Sequence, residues 1–101
     1  MKQLNPTLTG HTHGDTLGAR MLASRTHAGL TQKSAALRVG LSAGQLGRIE
    51  RGGVNMVNDP FTLVRAAKVY GVSDVWLYAG EAAPARLVPS WYGAPKLELA
   101  A

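Results

Sequence analysis

Two short helical segments lie almost end to end in the stretch LTQKSAALRVGLSAGQLGRIERGG, residues 30–53. Thr31 is a good N-cap for QKSAALRV, because its hydroxyl can accept a backbone N–H that the first turn of a helix leaves unpaired. Gly40 ends that segment, and Ser42 caps the next, which stops at Gly52–Gly53. Ala35, Ala36 and Val39 point inward from the first segment, Leu46 and Ile49 from the second. With only Gly40 and Leu41 between the two, the chain is confined to helix, tight turn, helix.

The flanking sequence extends the helical pattern. Asp15 or Thr16 caps an earlier helix on which Leu17, Met21 and Ala28 repeat, with Gly29 as its stop. Asp59 caps a fourth helix with Pro60 at its first position, where a missing N–H costs nothing. Its expected core face is Phe61, Leu63, Val64, Ala67 and Val69, and Gly71 ends it. Ser73 caps a short fifth helix, DVWLYAG, whose Val75, Trp76 and Leu77 should cover the core. No internal repeat and no strand pattern of any length is present, apart from RLV or WY in the tail. The expected fold is therefore all-α, with five helices. Residues 1–14 form a flexible arm, 15–81 the helical domain, and 82–101 an Ala/Pro-rich tail.

At 101 residues the chain suits one domain with a small core, which a partner chain would help to cover. The net charge is +5 and the pI about 10.1, an excess that fits nucleic acid as partner or simply solubility. The excess is local. Residues 15–52 carry Arg20, Arg25, Lys33, Arg38, Arg48 and Arg51 against Asp15 and Glu50, whereas residues 53–81 are net acidic. The absence of cysteine rules out disulfides, thiolate metal sites and Cys nucleophiles, and makes a reducing cytoplasm the simple expectation. No signal peptide or membrane-spanning run is evident. His11 and His13 in the arm have no carboxylate or Cys to complete a metal site, so neither metal nor cofactor is expected. Nor is there a convergent His–acid set or a phosphate-cradling glycine loop, so an enzyme is not expected.

A helix that reads DNA must lie in the major groove with its outer side chains free, held by a second helix across a tight turn. That arrangement requires a small residue where the helices touch, a residue able to take positive φ in the turn, and apolar residues on the inner face. Ala36, Gly40, and Leu46 with Ile49 supply these in order. With LGARM, GLTQKSAALRVGLS, IERG and GVSDVWLYAGE, residues 15–81 resemble the Cro/C1-type helix-turn-helix family, the lambda-repressor-like five-helix domain. The resemblance implies a sequence-specific regulator of transcription in a phage or bacterium. It would act most often as a repressor, bind a two-fold double-stranded operator as a homodimer, and use residues 42–51 as the recognition helix.

The same resemblance implies roles for individual residues. Ala43, Gly44, Gln45 and Arg48 match the positions that face the groove. Gln45 fits adenine and Arg48 fits guanine, with a phosphate contact as the alternative for Arg48. Gln32 matches a glutamine that contacts a backbone phosphate, and it sits in a first helical turn, where phosphate is favoured. Lys33, Arg38 and Arg51 are backbone contacts or solvated charges. Arg25 and Glu50 match an ion pair between the first and third helices. Asn55 and Asn58 match DNA-touching asparagines after the recognition helix, or else are chosen for turn geometry.

Gly44 and Gly47 are unexpected in a short helix, where each costs roughly 1 kcal/mol against alanine. The expectation is that both lie on the outer side and let the helix sit close to DNA. The tail, with Trp91 and Tyr92, is an oligomerisation element, cover for the fifth helix, or disordered. Two other readings compete with the phage-type regulator. One is an antitoxin that binds a toxin and represses its own operon. The other is a protein-interaction module that has lost DNA binding. A toxin or an antirepressor is thus a further candidate partner.

Overall fold

The computed structural model describes residues 15–52 and 59–93. Five α-helices follow in order: α1 Leu17–His27, α2 Gln32–Val39, α3 Ala43–Glu50, α4 Pro60–Tyr70 and α5 Asp74–Ala79. Two 3-10 turns follow, Gly80–Ala82 and Ala85–Leu87. No strand occurs among the described residues, in agreement with the all-α expectation.

All five helices begin at a side-chain cap. Thr16, Thr31, Ser42, Asp59 and Ser73 each accept a backbone N–H from the first turn that follows. In α3 the cap is reciprocal. The Ser42 hydroxyl accepts the Gln45 N–H at 3.0 Å, while the Gln45 side-chain oxygen accepts the Ser42 N–H at 2.9 Å. Gly40 closes α2 at φ 89°, a conformation strained for any residue with a Cβ. The helix-turn-helix angle therefore depends on that glycine.

The core joins Met21 of α1, Ala35, Ala36 and Val39 of α2, and Leu46 and Ile49 of α3. Leu63, Ala66, Ala67 and Tyr70 of α4, Trp76 and Leu77 of α5, and Ala83 complete it. Several expected core residues lie elsewhere. Phe61 is 68 % exposed, Val75 47 % and Val64 37 %, and Ala28 is exposed at the end of α1. Helical geometry explains α4. At about 100° per residue, Thr62, Leu63, Ala66, Ala67 and Tyr70 share one arc, and Phe61 falls opposite it. Size and hydrophobicity nominated Phe61 and Val64, but the close approach of α2 selects the small residues.

Arg20 is buried and ties the first helix to the last. Its guanidinium donates to the carbonyls of Leu77 (2.9 Å) and Tyr78 (3.0 Å) near the end of α5, and to the carbonyl of Asp15 (2.7 Å). It also pairs with the Asp15 carboxylate at 3.2 Å. The other carboxylate oxygen of Asp15 accepts the Glu81 N–H at 3.3 Å. Gly80 is required beside this clamp, because a Cβ there would overlap the Arg20 guanidinium.

Part of the tail folds back onto the domain. Leu87, Val88, Trp91 and Tyr92 pack against the core. Trp91 and Tyr92 meet Trp76 edge-on, with ring centroids 6.2 and 4.9 Å away, and Trp91 stacks on His27 at 4.3 Å. Over these residues the tail is cover for the fifth helix.

Candidate nucleic-acid interface

The placement of α3 follows from its sequence. Leu46 and Ile49 face the core, and Gly47 and Glu50 are buried beside them. At about 100° per residue, Gly44, Arg48 and Arg51 then cluster on the opposite side with Gln45 on one flank, whereas Ala43 shares the arc of Glu50 and Gly47 and stays open because it lies in the first turn. All five are exposed.

Helix α3 is held by a single carboxylate. Glu50 accepts from Arg25 Nε at 2.7 Å and Arg25 Nη2 at 3.0 Å, and from Gln32 Nε2 at 2.9 Å. The Arg25 and Glu50 side chains are 13 % and 3 % exposed. Arg25 also donates to the Leu30 carbonyl at 2.9 Å. One buried anion thus joins α1, α2 and α3, and a charge so buried is tolerable only because its partners surround it. The hydrogen bond to Glu50 raises the Arg25 pKa further. The ion pair expected between the first and third helices is therefore present, and Gln32 completes it. That use engages one side of the Gln32 amide, which was assigned to phosphate from the sequence.

The two glycines of α3 differ. Gly44 is open, with only the Ser42 hydroxyl 3.9 Å from where a Cβ would stand. Gly47 is not on the outer side as expected. It is buried, and a Cβ there would stand 3.1 Å from Arg51 Nη1 and 3.5 Å from the Gln32 amide. Gly47 thus leaves room for the side chain that reaches Glu50. A third helical glycine, Gly18, was not singled out from the sequence. A Cβ on it would overlap the Ile49 carbonyl oxygen and stand 3.0 Å from that of Glu50. It is where α1 and α3 come closest to touching backbones.

The basic face is narrower than the sequence count. Arg20 and Arg25 are engaged inside the domain, which leaves Lys33, Arg38, Arg48 and Arg51 exposed. Among the described residues none of these four has a side-chain hydrogen bond or ion pair, so their charge is available to an anion. Arg65 of α4 was missed: its Nε donates to the Val39 carbonyl at 2.8 Å and caps the end of α2. The reciprocal cap at Gln45 was also missed, although Ser-x-x-Gln is its sequence signature. Ala36 is buried, and Gly40 ends α2 in the left-handed conformation. Asn55 and Asn58 lie outside the described residues, as do the arm with His11 and His13 and residues 94–101.

No helix among the described residues is long and apolar enough to cross a membrane. A family model described as a helix-turn-helix domain matches residues 16–77. No curated protein matches the chain.

Proposed function

The chain belongs to the helix-turn-helix domain family of DNA-binding proteins, and on that premise we propose that it is a sequence-specific regulator of transcription. It acts as a repressor of the Cro/C1 kind, in the cytoplasm, as a homodimer on a two-fold operator with α3 in the major groove. The observation that carries this reading is the division of labour on α3. Its inner face and Glu50 are engaged with α1, α2 and the core, while Gly44, Gln45 and Arg48 project outward, and Ala43 is exposed at the helix start, beside unpaired cations. In this reading Arg48 reads a base edge. Lys33, Arg38, Arg51, Asn58 and the free side of the Gln32 amide grip phosphates, while Asn55 touches a base edge.

Trp91 and Tyr92, assigned to dimerisation from the sequence, are partly buried, Trp91 stacked on His27 and Tyr92 in an edge contact with Trp76. A dimer contact through them uses the parts of their rings that stay exposed.

Fluorescence anisotropy against duplex DNA from upstream of the chain's own gene, with a scrambled duplex as control, tests the proposal at two salt concentrations. Tight binding to the native duplex only, with a two-fold footprint, supports it. Equal, weak and strongly salt-dependent binding to both overturns sequence specificity.

A second reading is an antitoxin. It is favoured by Leu37, Phe61 and Tyr78, which are 82 %, 68 % and 66 % exposed. Co-purification with the product of a neighbouring gene tests it.

A further inference from the structure

The reciprocal cap at the start of α3 restricts what Gln45 can offer DNA. A glutamine amide that pairs with adenine must accept from the N6 amino group while donating to N7. In this chain the Gln45 side-chain oxygen already accepts the Ser42 N–H at 2.9 Å. The Ser42 hydroxyl is engaged in turn with the Gln45 N–H at 3.0 Å, so the two bonds close one ring. What remains unbonded is the amide nitrogen with its two hydrogens, and one lone pair of an oxygen that the cap draws toward the Ser42 N–H at the helix start. Gln45 is exposed on the flank of the outer face of α3, and the cap holds its side chain against the helix start.

We propose that Gln45 meets DNA as a donor only, giving its amide hydrogens to the O6 and N7 acceptors of a guanine and not reading adenine. The inference rests on α3 lying in the major groove as proposed above. It makes Gln45 at once a structural cap and a specificity-determining residue. The alternative acceptor with the same chemistry is a phosphate oxygen, which would fix register without reading sequence.

Selection of bound duplexes from a random pool with the full chain, followed by anisotropy titrations on duplexes carrying each base at each selected position, tests the proposal. Gln45→Ala and Gln45→Glu are compared with the wild type, and thermal unfolding confirms that both are folded. Glutamate keeps the cap acceptor but has no donor. The expected result is one base pair at which wild type prefers guanine, a preference reduced about tenfold or more in Gln45→Ala. Gln45→Glu should turn that preference toward cytosine, whose amino group needs an acceptor. A uniform charge effect cannot produce such a change of base.

An adenine preference that Gln45→Ala removes would overturn the donor-only assignment, since the oxygen would then accept from N6, with the cap open or through its second lone pair. Unchanged affinity and selectivity in both variants would overturn it too. Equal loss on all duplexes in Gln45→Ala would move the contact to a phosphate and defeat base reading alone. A wild type that binds every duplex alike would defeat the sequence-specific reading, and this inference with it.

Discussion

Replacing Gly18 with alanine puts two effects of opposite sign on one methyl group. Alanine in a helix interior is worth roughly 1 kcal/mol over glycine. Against this, the Cβ of residue 18 would overlap the Ile49 carbonyl oxygen and stand 3.0 Å from that of Glu50. Both obstacles are backbone, so no side chain can swing aside and α1 must move away from α3. Overpacking of this kind costs about 1–3 kcal/mol or more. The clash involves two fixed atoms, so the upper part of that range applies and the net loss is about 2 kcal/mol. For a domain of this size that lowers Tm by about 10 °C. Gly44→Ala is the control, since it brings the same propensity gain into open space and should raise Tm by about 5 °C. Thermal and urea unfolding followed by circular dichroism measures both. A rise in Tm for Gly18→Ala similar to that of Gly44→Ala would refute the close approach of α1 and α3. Operator binding should weaken in Gly18→Ala because the end of α3 is displaced.

Arg20→Met removes donors from the Leu77 and Tyr78 carbonyls and the partner of Asp15, so urea unfolding should show a loss of about 3 kcal/mol. Glu50→Gln keeps the shape but leaves the Arg25 charge half-buried without its anion. Stability should fall by about 2 kcal/mol, and anisotropy should show weaker DNA binding as α3 loses its anchor. Burial pushes the Tyr70 hydroxyl up to about 12, and the nearby Glu50 adds to this. The fold thus favours the neutral phenol, whose contribution is complete below pH 10 and lost as pH rises from about 10 to about 12. That hydroxyl has no hydrogen-bond partner, so Tyr70→Phe should leave stability at neutral pH unchanged or higher. It should also flatten the alkaline decline in a pH series of urea midpoints.

The parts of the fold legible in the sequence are those set by neighbours along the chain. Thr31, Ser42, Asp59 and Ser73 could be named as caps because capping is decided within one turn. The stops at Gly29, Gly40 and Gly71 are likewise local. Gly18 and Arg20 were opaque for the opposite reason, since atoms that constrain them lie 31 to 58 residues away in sequence. On α4, hydrophobicity pointed to Phe61 and Val64, whereas the space left by α2 decided the register. Charge misled at Arg20 and Arg25: residue type says that a side chain is cationic, not whether the fold has already engaged it. The Arg25–Glu50 pair became visible only through family resemblance. The addition of Gln32, and the space that Gly47 leaves for it, required coordinates.

Because α3 is fastened by Leu46, Ile49 and Glu50, the exposed positions 43 and 48 carry no part of the framework. Recognition and folding are therefore separable problems in this domain. Exchange at these two positions should leave the melting temperature nearly constant, so in the proposed reading DNA specificity can be varied there without disturbing the fold. Position 45 is the exception: its side chain closes the cap, so a change of specificity there also alters the start of the helix.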